Sequence, residues 1–432
     1  MRRFDTRTPG FNVAFKSFLN ERRGQPDAVD AAVAEVIEQV KARGLDAVLD
    51  YARRFDKVEL TAATIRVSAD EIEAGAAACP PEVREAIAFA ANRIRVYHER
   101  QRPADQRWTD DTGTTLGWRW GALEAVGIYV PGGRAAYPST VLMNAVPAKA
   151  AGVERIAMVT PPGKLQPAVL AAAKAAGVTE IWRVGGAQAV AALAYGACPI
   201  QPVDKIVGPG NAYVTAAKRR VYGVVGIDAL AGPSEIVVVA DANNDPDWIA
   251  ADLLSQAEHD PAAQSILITD DAAFGEAVAK AVEGQLKTLA TGEDAAASWR
   301  DHGAIILAPM DRAVALVDAL APEHVEFAID EPSHLADKVR HAGAIFLGRR
   351  TPEAIGDYVA GSNHVLPTSR AARFSSGLSL YDFLKRTSIV ECTAESFAIL
   401  GPHTVALAEA EGLPAHARSA AIRLNARRSA DD

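Results

Sequence analysis

Val126-Gly127-Ile128-Tyr129-Val130-Pro131-Gly132-Gly133-Arg134 decides the fold. A short apolar run stopped at once by Pro and Gly predicts a buried strand feeding a tight turn. The same grammar repeats downstream. A helix is expected around 139–151, a strand over 155–160 and a helix over 166–176. The strand 180–184 then runs into Gly185-Gly186-Ala187-Gln188, and after another helix Lys205-Ile206-Val207 runs into Gly208-Pro209-Gly210-Asn211. Strand–helix alternation of this kind builds a parallel βαβ sheet.

Outward on the C-terminal side, Glu235 to Ala240 opens a second such unit, with later strands at 265–269, 304–307, 325–328 and 344–347. On the N-terminal side, Val29, Val33, Val36 and Val40 form one helical stripe that Gly44 ends, and a second helix spans about 81–101. Trp108 to Trp120 reads as a hairpin turning at Asp110-Asp111-Thr112-Gly113. The expected fold class is α/β, with two parallel-sheet, Rossmann-like domains that lack the usual dinucleotide fingerprint. Residues 1–24 show no period and read as an arm that packs on something else, such as a second subunit. Residues 25–128 and 235–380 are assigned to one α/β domain and 129–234 to the other. Strands are expected to cease near Leu380, leaving 381–432 as a small helical tail with a basic end.

At 432 residues, half apolar and 23% charged, the chain needs more than one simple core. A net charge of −9 argues against nucleic acid or an anionic membrane as partner. No apolar run approaches a membrane span, and the N-terminus lacks the apolar core of a signal peptide. Cys79, Cys198 and Cys392 are scattered and odd in number, which suggests a reducing cytoplasm and small buried hydrophobes.

Four groups carry chemistry. In Leu253 to Pro261, Gln256 and His259 stand three apart, so a helix projects them from one face at its C-terminal end. A carboxamide oxygen and a neutral imidazole can grip a divalent metal there; alone, the pair also describes an ordinary surface. Glu323-His324, just before a strand, supplies two proton-transfer groups of different pKa. Asp357 adds a carboxylate, His364 an imidazole on a tight turn, and Glu411 and His416 flank a helix break at Gly412 and Pro414. The three Gly-rich strand ends can cradle phosphate, although none is G-x-G-x-x-G.

Taken together, Val130–Arg134, Gly185–Val190, Gly208–Asn211, Ala231–Glu235, Ser255–His259, Ala321–His324, Gly356–Tyr358 with Asn363–Pro367, and Ala410–His416 are similar to the histidinol dehydrogenase family. The resemblance covers about 25–420 in the family's order. It implies a cytoplasmic homodimer that binds one Zn2+ per subunit and NAD, and oxidises L-histidinol to L-histidine through L-histidinal. Carried over residue by residue, Gln256, His259, Asp357 and His416 correspond to zinc ligands. Glu323 and His324 correspond to the acid–base pair. Ser234, His324 and Glu411, with the zinc ligands, correspond to substrate contacts, and Tyr129, Gln188 and Asn211 to NAD contacts. The tail is implied to cross to the partner subunit and complete its zinc site. Val325 departs from the family's Leu, a trimming of volume. A zinc/NAD dehydrogenase for another small amino alcohol or diol is the alternative, and it would be expected to lose Glu411. A metallohydrolase lacks support from any H-E-x-x-H, and a non-catalytic nucleotide module would not need the metal set.

Overall fold

The structure, a computed structural model, describes residues 1–21, 27–132 and 137–424. Part of the expected Val130–Arg134 turn, at Gly133 and Arg134, lies outside them. The chain divides into two compact units, one of 1–101 with 123–383 and one of 102–122 with 384–432.

The larger unit contains both parallel sheets. In chain order its strands are β1 (Arg2–Asp5), then β4 (Ala125–Tyr129), β5 (Arg155–Thr160), β6 (Glu180–Arg183), β7 (Lys205–Val207) and β8 (Gly226–Ile227), followed by β9 (Glu235–Ala240), β10 (Gln264–Thr269), β11 (Ala304–Leu307), β12 (His324–Ala328) and β13 (Ala344–Leu347). One sheet has the order β1-β11-β10-β9-β12-β13 and the other β6-β5-β4-β7-β8. All their pairings are parallel.

The central strands are apolar on both faces because helices cover both. Along β9, Val237 and Val239 join one core with Ile266, Ile306 and Phe327, while Ile236 and Val238 join the opposite core with Leu267 and Ile305. The smaller unit is the antiparallel sheet β14-β3-β2, formed by β2 (Gln106–Thr109), β3 (Thr115–Ala122) and β14 (Leu384–Glu391), with the helices Ala394–Ala410 and Pro414–Leu424. The expected hairpin is β2–β3, turning at 110–114.

Three expectations are corrected. The arm is part of the fold: β1 pairs with β11, and Phe11, Phe15 and Phe18 of the helix Phe11–Asn20 are buried on the same core as Val237 and Phe327. Its phenylalanines recur at helical spacing within a short segment, and the polar residues around them masked that period. Strands do not cease near Leu380, because β14 pairs along the full length of β3. Five of its eight residues are exposed and none is buried, so its sequence carries little apolar alternation. Finally, the helix Asp27–Arg43 buries Val33, Val36 and Val40 with Trp182, Ala191 and Val214, the core of the five-stranded sheet rather than of the other. β4 is likewise that sheet's central strand. Of the cysteines, Cys79 is buried, whereas Cys198 and Cys392 are exposed.

The Gly208 turn is held from beneath. Gly208 has φ +108, and a Cβ there would stand 2.3 Å from the Tyr129 carbonyl. Its N–H donates to Asp228 at 2.7 Å and its carbonyl accepts from Lys218 at 3.0 Å. Lys218 and Asp228 form an ion pair with side chains only 3% and 5% exposed. Breaking a buried pair strands the remaining charge, so Lys218→Met should destabilise the protein by about 3–5 kcal/mol. Denaturant titration checks this; a loss below about 1 kcal/mol, the scale of an exposed pair, would show that the pair does not hold the turn.

Candidate active site and metal centre

The site is built at the amino end of the six-stranded sheet. The helix Pro246–Ala257 follows β9 and returns along it, capped at its start by Asp245, whose side chain accepts from the Asp247 N–H. Its C-terminal end therefore lies beside the starts of β9 and β12. Gln256, in the last turn, is 1% exposed, and both atoms of its carboxamide are buried without a hydrogen-bond partner. His259 lies just beyond the helix and is exposed, with its Nδ1 3.4 Å from the Ser234 hydroxyl.

The backbone of one residue, Glu235, holds the acid and the base together. The Glu235 N–H donates to Glu323 Oε2 at 3.0 Å, and the Glu235 carbonyl lies 3.1 Å from His324 Nδ1. The carbonyl can only accept, so Nδ1 carries the hydrogen and Nε2 is the free base. Nε2 is buried without a hydrogen-bond partner and lies 3.7 Å from Glu353 Oε1 and 3.8 Å from Asp357 Oδ1. His364 Nδ1 lies 3.7 Å from the same Asp357 oxygen. The His364 turn is tied to the other sheet, since the neighbouring Asn363 donates to the Met143 carbonyl at 2.6 Å.

Burial sets the proton affinities. It lifts Glu323 well above the carboxylate range, and the charges of Glu235, Asp357 and Glu353 lift it further. Burial and then the Glu353 charge raise Asp357 in the same way. Glu353 goes the other way: burial opposes ionisation, but His324, Asp357 and Gln256 beside it hold its carboxyl below the ordinary value. Burial lowers His324, and burial with the charges of His324 and His259 lowers His364 to about 4.

His324, Glu353 and Asp357 offer ligand atoms within 4.8 Å of one another, a group that could hold a metal ion. The orphaned acceptors Gln256 Oε1 and Glu353 Oε1 are the kind of buried polar atoms that a cation satisfies. Gln256, Asp357, Glu323 and His324 are thus brought together, with His259 and Ser234 alongside. Glu411 and His416 lie in the other unit, where both are exposed.

Glu353 and Glu235 went unassigned in the sequence reading. Glu353 stands four residues before Asp357 on the helix Glu353–Tyr358, a spacing that puts both carboxylates on one face. Glu235 works through its backbone, which leaves no trace in residue type. The three residues expected to contact NAD lie at carboxyl ends of the five-stranded sheet. Tyr129 is buried and its hydroxyl accepts from the Gly186 N–H at 2.9 Å, Gln188 is buried, and Asn211 caps the helix Ala212–Val221.

Known proteins give the site its context. The family model for histidinol dehydrogenase matches residues 19–424. A histidinol dehydrogenase from Caulobacter vibrioides is 80% identical over 98% of this chain and 99% of its own length. One from Mesorhizobium japonicum is 61% identical over 96% and 97%. The crystal structure of histidinol dehydrogenase from Elizabethkingia anophelis matches with a TM-score of 0.92 at 37% identity, covering 98% of each chain.

The charge balance predicts a pH-dependent response to cations. Raised carboxyls such as Glu323 and Asp357 contribute stability that is lost as pH rises through their raised values. The lowered histidines contribute stability that is lost as pH falls, and it is complete above the ordinary histidine value of about 6.5. Among these site groups only the carboxyl effect remains above that pH, so in metal-stripped protein the site itself becomes less favourable as pH rises. A divalent cation should then raise the melting temperature more at about pH 8 than at about pH 6.5. A shift that stays flat or shrinks with pH would rule out cation binding by these carboxyls.

Proposed function

The chain belongs to the histidinol dehydrogenase family, and on that premise we propose that it oxidises L-histidinol to L-histidine through L-histidinal in two NAD-dependent steps, closing histidine biosynthesis. The observation that carries the reading is the free Nε2 of His324, buried and aimed between two carboxylates.

Gln256, His259 and Asp357, with His416 from the second subunit of a homodimer, would hold one zinc ion per subunit. Oxygen and imidazole donors form a harder, more expandable set than thiolates and suit a substrate that chelates through two nitrogens. Zinc there supplies a positive anchor for the substrate, and NAD accepts hydride. Ser234 and Glu411 add polar contacts to the substrate.

The residues of this chain then handle protons. His324 Nε2 takes the alcohol proton as hydride leaves the carbon, and the Glu353 carboxylate 3.7 Å away stabilises the imidazolium that forms. The aldehyde must be hydrated before it can release a second hydride. Glu323, whose raised proton affinity suits a working base, removes the proton from that water. His324 serves again when the hydrated aldehyde loses its proton and hydride. The Gly-rich turns at carboxyl ends of the five-stranded sheet lie where a dinucleotide binds in such folds. Among the described residues no helix is long and apolar enough to cross a membrane, and a histidine-biosynthetic role places the enzyme in the cytoplasm.

Mixing the protein with zinc, NAD and histidinol should produce two NADH per histidinol by absorbance, and chelation should stop it. Glu323→Gln should slow histidinal oxidation roughly 100-fold while slowing the first step less, and His324→Asn should impair both. Equal losses in both steps for Glu323→Gln would reduce that carboxylate to a structural part.

The tail provides a second test. A His416→Asn dimer and a His259→Asn dimer should each be inactive, and subunit exchange between them should restore one intact site in each heterodimer. If each site came from a single chain, every heterodimer site would stay defective and no activity would return.

A further inference from the structure

Residues Ala52–Asp56 form one π-helical turn that continues the helix Leu45–Tyr51. Such turns are rare and concentrate at functional sites. This one ends at Lys57, a non-glycine residue in the left-handed region with φ 58. The result of this irregular backbone is the placement of Asp56. Its carboxyl is half-buried, and Oδ2 is shut from solvent without a hydrogen-bond partner. A carboxylate that serves structure is satisfied at Asp204, whose Oδ2 accepts from the N–H groups of Glu124 and Ala125 at 3.0 Å each. A buried acceptor left open points to a donor that arrives with a ligand.

The surroundings identify that ligand. Asp56 is close enough to Tyr129 for its charge to add to the burial that lifts the phenol to about 12. The Tyr129 hydroxyl in turn accepts from Gly186, the first residue of the helix Gly186–Tyr195 at the end of β6. Two residues beyond Asp56, Val58 begins the wall of a cavity of about 470 Å³, whose other side is Pro162, Gly163 and Arg183 at the carboxyl ends of β5 and β6. In doubly wound sheets the adenosine half of a dinucleotide lies over this edge, where an acidic side chain takes the ribose hydroxyl.

We propose that Asp56 is the carboxylate that accepts the 2′-hydroxyl of the adenosine ribose, and that its charge disfavours the 2′-phosphate of NADP. The inference rests on the NAD reading above. In an ordinary dinucleotide fold this acid follows the second strand of the sheet; here it arrives from a helix N-terminal to the sheet.

The test is NADH binding to the zinc-loaded protein without histidinol, followed by fluorescence. Asp56→Asn should weaken NADH and ADP by the same factor, at least about tenfold, narrow the preference for NADH over NADPH, and leave the KM for histidinol within about twofold. Against the unaltered protein, 2′-deoxy-ADP should bind about tenfold more weakly than ADP, a readout that needs no variant. Equal binding of ADP and 2′-deoxy-ADP would overturn the proposal, and so would a loss for NADH without one for ADP. Failure of the unaltered protein to bind NADH would instead overturn the NAD reading itself.

Discussion

The constraint on which the rest of the structure depends is the concentration of buried carboxyl groups at the amino end of β12. Glu235, Glu323 and Glu353 are each under 8% exposed, and Asp357 stands beside them. Desolvating several like charges at one place is costly unless each oxygen finds a donor, a counter-charge or a proton. Backbone supplies part of the answer, since Glu235 N–H serves Glu323 and Ser369 N–H serves Glu235. The Ser255 hydroxyl serves one oxygen of Glu353. Of the oxygens left over, Gln256 Oε1 and Glu353 Oε1 are acceptors that a cation would satisfy, removing part of the remaining excess.

The fold delivers that arrangement through its two sheets used at opposite edges. Parallel strands connected by returning helices place every loop at one edge or the other. In the five-stranded sheet the Gly-rich turns fall at the carboxyl edge, the usual place for a ligand in such folds. In the six-stranded sheet the chemistry falls at the amino edge, where β9 and β12 begin and the helix after β9 ends. This is why a single residue, Glu235 at the head of β9, can hold both members of the Glu323–His324 pair at the head of its neighbour β12. Both sheets lie within one compact unit, and the bond from Asn363 to Met143 links a turn of one to a helix of the other.

Much of this was legible in the residues. Central strands announce themselves, since a strand buried on both faces is a continuous apolar run, as in β9 and β5. The edge elements did not. β1 and β14 are edge strands with polar side chains, β1 of the six-stranded sheet and β14 of the three-stranded one, and neither shows a strong apolar alternation. The helix Asp27–Arg43 was recognised, but its partner was not, because a valine stripe says how a helix packs and not against what. Among the residues gathered at the candidate site, Gln256, Glu323, His324 and Asp357 stand out by type and spacing. Those that act by backbone or by shape, Glu235 and the left-handed turn after Asp56, are visible only in three dimensions.

The separation of proton affinities follows from the same geometry. Glu323 and Glu353 are both buried glutamates within reach of His324, yet burial raises one while its neighbours lower the other. The difference lies in what each oxygen faces. Glu353 looks at the free nitrogen of His324 and at the Gln256 carboxamide, partners that favour its ionised form. Glu323 looks back at a backbone N–H and is surrounded by the charges of Glu235, Asp357 and Glu353, which oppose ionisation. Two carboxyls pushed apart in this way can take different duties at one pH, one as a fixed negative charge and the other as a group that exchanges protons. A cation placed among Gln256, His259 and Asp357 would also weaken the repulsion on Glu323, since Asp357 is one of its sources. Occupation of the metal position would therefore bring Glu323 down toward the range in which it can act as a base, coupling substrate anchoring to the readiness of the proton acceptor.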